Sequence, residues 1–95
     1  MKTIKCTKFN LGRTLITPGA IEALNHAEVT ALPYLARHAA GDWGDLSEED
    51  KTENELSLVE GFRLLSAYFL PDLTKIWIIT EADRSATTIL LPEDY

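Results

Sequence analysis

Ninety-five residues with 45% hydrophobic and 25% charged content supply one core and are too few for two, so residues 1-95 are expected to form a single domain. A net charge of −6 argues against direct nucleic-acid binding, because a polyanion is held through clustered Lys and Arg. No apolar run approaches bilayer length, the start MKTIKCTKFNLG has no continuous apolar stretch of signal-peptide type, and the lone Cys6 has no partner for a disulfide or thiolate zinc site; these features exclude a membrane span and a disulfide scaffold, and they point to a cytoplasmic protein.

The charge is unevenly spread. Met1 to Ala40 carries five Lys/Arg against two Asp/Glu, Gly41 to Glu60 carries eight acids against Lys51 alone, and Gly61 to Tyr95 carries five acids against three bases. The middle block is therefore either a solvated helix face or a surface for a basic partner.

The first element is expected to be a strand over Thr7 to Ile16, with Gly12 marking a bulge or break. Thr17 as cap, Pro18 in the first turn and an Ile16–Ile21 staple then start a helix running to about His26, with Ile21 and Leu24 on its apolar stripe. A second cap at Thr30 precedes a helix over Ala31 to Ala39, which carries Leu32, Leu35, Ala36 and Ala39 on one face.

Gly41 suits the left-handed residue that closes this second helix, and Arg37 and His38 fall in its last turn, where cations favour the carbonyl end. Ser47 caps a third helix whose first turn, Glu48, Glu49 and Asp50, puts three acids at the positive end of the dipole. That helix should reach Glu60 and stop at Gly61, with its apolar residues, Leu56, Leu58 and Val59, all in the second half.

Beyond Gly61 the pattern turns to β: strands over Phe62 to Leu70, Lys75 to Thr80 and Ala86 to Leu91, separated by turns at Pro71 to Thr74 and Glu81 to Ser85, with Pro92 ending the last. Short loops make these a three-stranded antiparallel meander. The expected fold class is α+β, with the helices covering one face of the sheet. Stability in so small a domain is marginal. A homodimer that hides an edge strand, Phe62 to Leu70 or Ala86 to Leu91, is one expected source of more.

Three candidates for chemistry stand out. His38 with Asp42 or Asp45 has the residue types of an acid/base or metal site, but the spacing lacks the three convergent donors that a metal needs, and His26 has no acidic partner in register. Trp43, between two glycines and two aspartates, folds back as a lid on the core, or, if exposed, anchors a partner. Arg84, in the turn TEADRSATT, has the fork geometry to hold a phosphate or carboxylate. No dinucleotide, Walker, nucleophile-elbow or CxxC pattern occurs, so no cofactor is expected.

The segments LGRTLITPGAIEAL, RHAAGDWGDLSEEDKTENEL and KIWIITEADRSATTILLPEDY together resemble a group of small bacterial proteins of plasmids and integrating elements, termed plasmid related proteins. The resemblance covers nearly the whole chain and implies a mobile-element setting without implying a mechanism. A restriction-methylase label attached to some members does not suit a chain too short to bind a methyl donor.

Two readings follow. The first is a non-enzymatic interaction module that docks on a host or element-encoded protein with a basic surface through Asp42, Trp43, Asp45, Glu48, Glu49 and Asp50, or that imitates DNA to a basic host factor. The second rests on the order of elements, which matches small ribonucleases and toxins, and uses His38 and Arg84 as a working pair, with Lys75 or Thr87 as other partners for the imidazole.

Overall fold

The computed structural model describes residues 7–95, so Cys6 and the basic residues before it lie outside the description. The chain runs β1 (Arg13–Ile16), α1 (Pro18–Ala27), α2 (Leu32–Ala39), α3 (Glu48–Glu60), β2 (Leu64–Phe69), β3 (Lys75–Thr80), β4 (Ala86–Leu90) and a closing 3-10 turn (Pro92–Asp94). It is an α+β fold. The strands form one sheet in the order β1-β4-β3-β2, in which β2, β3 and β4 make the antiparallel meander and β1 adds to β4 in parallel, so the sheet is mixed. Such a parallel neighbour needs a long crossover, which the three helices and two further strands provide.

Helix starts and stops follow the local code. Thr17 accepts from the Ala20 amide with Pro18 in the first turn, and Ser47 accepts from the Asp50 amide. After α2 the Gly41 amide donates to the His38 carbonyl and the Asp42 amide to the Arg37 carbonyl, with Gly41 at φ +84, a complete Schellman closure. Thr30 does not cap α2; Ala31 occupies that position without a side-chain bond.

The strand expected from Thr7 is much shorter. Gly12 sits at φ +67 against the Ser85 backbone, where an added Cβ would lie 2.4 Å from the Ser85 carbonyl, so the chain before it turns away and only Arg13–Ile16 pairs with β4. Upstream, the Lys8 amide donates to the Ala39 carbonyl at the end of α2.

The inner face of the sheet presents Tyr68, Ile76, Ile78 and Ile89 to Ala20 and Leu24 of α1 and Leu35 of α2, which together form the core. The alternate residues Leu15, Leu65, Ala67, Phe69, Trp77, Ile79 and Leu90 turn to the outer face. Tyr95 leans edge-on against Trp77 there, and Phe69 remains 48% exposed. This second apolar face explains the unbroken KIWIIT run, since a strand apolar on both sides shows no alternation.

Candidate functional site

The GDWG turn and α3 together cover the free edge of β2. Gly44 forms a parallel bridge to Ala67: the Ala67 amide donates to the Trp43 carbonyl (3.1 Å) and the Asp45 amide donates to the Ala67 carbonyl (2.7 Å). One residue pair along, Asn54 of α3 donates from Nδ2 to the Leu65 carbonyl (2.7 Å) and accepts from the Leu65 amide through Oδ1 (3.1 Å). The outward backbone groups of Leu65 and Ala67 are thereby satisfied, as an edge strand requires if it is not to recruit another chain.

Trp43 is 4% exposed. Its ring stacks 6.2 Å from Phe9, meets the His38 imidazole edge-on at 5.8 Å, and donates from Nε1 to Glu55 Oε2 at 2.8 Å. It is the lid of the core rather than an exposed anchor, which corrects its place among the contact residues, because an indole already packed and hydrogen-bonded has no face left for a partner.

Asp42 and Asp45 are also committed. Asp42 accepts from Arg37 Nε (2.7 Å) and the Gly44 amide (3.2 Å), and the hydrogen bond from Arg37 holds its carboxyl below the usual carboxylate range. The same Arg37 lies 4.5 Å over the Tyr68 ring, whose hydroxyl donates to the Asp42 carbonyl; burial pushes the Tyr68 phenol up to about 12. Asp45 pairs with Lys75 at 3.2 Å. Both aspartates therefore fasten the turn.

His38 is fully buried. Its Nδ1 lies 2.5 Å from Ser66 Oγ and its Nε2 lies 2.9 Å from Thr80 Oγ1; Thr80 and Thr87 hydroxyls are 2.7 Å apart, and Thr87 donates to the Leu11 carbonyl at 2.7 Å. The terminal carbonyl only accepts, so the protons must run one way: Nε2–H to Thr80, Thr80 to Thr87, Thr87 to Leu11. Burial depresses the imidazole pKa to about 4, which keeps the ring neutral, so Ser66 donates to the bare Nδ1. The chain stitches α2, β2, β3, β4 and the segment before β1 together.

Arg84, at φ +61, donates from Nη1 to the carbonyls of Phe62 (2.8 Å), Glu81 (3.1 Å) and Ala82 (3.0 Å), and from Nη2 to the carbonyl of Ser57 (3.0 Å). It caps the carbonyl end of α3 and binds it to the β3–β4 turn. Phe9 packs 5.2 Å from the His38 ring and 5.7 Å from the Arg84 guanidinium, touching both. With both imidazole nitrogens bonded to hydroxyls out of solvent, His38 offers neither a base nor an acid to a substrate. Lys75 holds Asp45, and Thr87 belongs to the buried chain.

What remains at the surface is α3. Glu48, Glu49, Asp50 and Glu53 are exposed, with Lys51 3.5 Å from Glu48 as their one ion pair among the described residues. The helix is inverted in polarity: its buried residues are Asn54 and Ser57, while Leu56 is 48% and Val59 81% exposed and only Leu58 is half-buried. Glu49, Glu53, Leu56 and Val59, spaced three and four apart, share one outward stripe that is acidic at its start and apolar at its end. The three-four spacing was readable beforehand; the side on which it would lie was not.

Among the described residues, no cluster of three His, Cys, Asp or Glu side chains is placed to hold a metal, and no helix is long and apolar enough to cross a membrane. Comparison with protein families, with curated proteins and with solved structures returns no match.

Proposed function

We propose that this chain is a non-catalytic interaction module that docks on a protein with a basic surface through the outward stripe of α3. The observation that carries this reading is the inverted polarity of the helix. A helix that only completed a core would bury Leu56 and Val59 and expose Asn54, whereas here polar groups anchor it to the β2 edge and both apolar side chains face solvent. The acids at its start supply long-range attraction and orientation, and the apolar end supplies the desolvated contact.

A host or element-encoded protein is the partner class, in keeping with the plasmid-protein resemblance, and imitation of DNA is the sharper form, in which the carboxylates stand in for phosphates. The test uses the tagged full chain to capture partners from a bacterial host lysate, beside Glu49→Lys/Glu53→Lys and Val59→Glu variants of unchanged circular dichroism. Loss of the same partner from both variants is expected, and DNA competes for it if mimicry operates. Identical capture by all three proteins removes the reading.

A further inference from the structure

The two edges of the sheet are treated differently. On β2 the outward amide and carbonyl of Leu65 and of Ala67 are paired within the chain by Asn54, Trp43 and Asp45. On β1 the Arg13 amide donates to the Ser85 carbonyl and the Thr17 amide to the Ile89 carbonyl. Odd-numbered residues therefore bond toward β4, which leaves the amides and carbonyls of Thr14 and Ile16 pointing away from the sheet with no partner among the described residues.

We infer that β1 is the seam of a homodimer, pairing antiparallel with β1 of a second copy about a two-fold axis through Leu15. This register is the self-complementary one. Thr14 faces Ile16 of the second copy and exchanges both backbone hydrogen bonds with it, Ile16 does the same with Thr14 of the second copy, and the two Leu15 side chains meet between them as the close, non-bonded pair. Leu15 is 40% exposed in the single chain. The result is one continuous eight-stranded sheet with the helices of both copies on the same face.

Side chains and charge favour a second copy as the occupant. Beside β1 on the inner face lies an apolar groove of about 440 Å³ lined by Leu11, Thr14, Leu32, Leu35, Ala36 and Ala39, and Leu32 at its lip is 73% exposed. The two-fold brings the two grooves side by side above the seam. The register also places Arg13 level with Thr17 of the second copy, whose hydroxyl holds Asp94 Oδ2 at 2.7 Å, so a cation meets a carboxylate across the axis. The acidic stripe of α3 is tied to β2, at the opposite edge of each sheet, which keeps the two negative blocks apart. The strands expected to be hidden, Phe62 to Leu70 and Ala86 to Leu91, are less suited: β2 is covered at Leu65 and Ala67, which leaves only the outward groups of its last residue, Phe69, and β4 is interior.

Sedimentation equilibrium of the full chain should give twice the 10.6 kDa chain mass, and the Thr14 and Ile16 amide protons should exchange slowly when concentrated and rapidly on dilution. Leu15→Lys sets two cations face to face, and Thr14→Pro deletes an outward donor without removing a bond inside the sheet; each should give the monomer mass with unchanged circular dichroism. Leu32→Glu, on an exposed helix position remote from the strand bonds, should weaken the dimer at least tenfold and decides the matter if the strand variants fail to fold. A monomer at every concentration, a dimer that persists in these variants, or a dimer abolished only by Phe69→Lys on the outer sheet face overturns the inference.

Discussion

The carboxamide of Asn54 reads both backbone groups of Leu65, donating to its carbonyl and accepting from its amide, so one side chain of α3 acts as a further strand residue beside β2. Asn54 is 4% exposed, and its replacement leaves both groups of an edge strand without partners. Asn54→Leu should cost about 2–3 kcal/mol in urea unfolding, near the desolvation penalty of buried unpaired groups. Asn54→Asp should cost at least as much, because a carboxylate then faces the Leu65 carbonyl; matching stabilities for the two variants and the wild type would show that the pairing contributes nothing.

Acid should weaken the fold through His38 before it reaches the carboxylates. The folded-state imidazole has a pKa of about 4 against an ordinary 6.5, so between these values the unfolded chain takes up a proton that the folded chain refuses. Stability is then fully present above pH 6.5 and falls as pH drops toward 4, by about 3 kcal/mol from a shift of this size. Asp42, Asp72, Asp83 and Asp94, whose folded pKa values are lowered below 3.8, lose their contribution only at lower pH. Urea midpoints measured from pH 7.5 to 4 should show this decline in the wild type, and His38→Gln should flatten it.

Two glycines with nearly equal φ should respond very differently to alanine. Gly44 at φ +78 would place a Cβ 2.0 Å from the Ala67 carbonyl oxygen, across the bridge that covers β2, whereas a Cβ at Gly61, φ +79, meets nothing within 4 Å. Gly61→Ala should cost about 1 kcal/mol, the left-handed backbone penalty alone. Gly44→Ala should cost about 3 kcal/mol or more, since backbone must move. Equal thermal midpoints for the pair would contradict the close approach at Ala67.

Arg84 should resist conservative replacement. Its planar fork reaches carbonyls of Ser57 in α3, of Phe62 two residues beyond the helix and of the β3–β4 turn at once, a spread that one ammonium cannot match. Arg84→Lys and Arg84→Met should both destabilise by about 1–2 kcal/mol, with faster hydrogen exchange confined to the last turn of α3 and the β3–β4 turn. Full retention of protection there in Arg84→Lys would mean that charge rather than geometry holds the helix end.

Helix boundaries and strand identities were legible because their causes lie within a few residues. Ser47 caps α3 through an amide three positions away, Gly41 and Gly61 end helices in a conformation that other residues reach with difficulty, and the meander strands stand out by β-branched content between turns. Even so, Thr30 and the residues from Thr7 to Gly12 were misplaced, because a cap and a strand each need a partner as well as a propensity.

The roles of the distinctive side chains depended on partners far along the chain. His38 meets Ser66 and Thr80, Trp43 meets Glu55, Asn54 meets Leu65, and Arg84 meets Ser57. None of these pairings follows from periodicity, since each arises only when the crossover from β1 to β4 brings α2 and α3 against the sheet. Local chemistry settled where the backbone turns; the closed sheet alone decided that a histidine and a tryptophan are buried while two apolar residues of α3 face water, because burial is a property of packed surfaces rather than of neighbours in sequence.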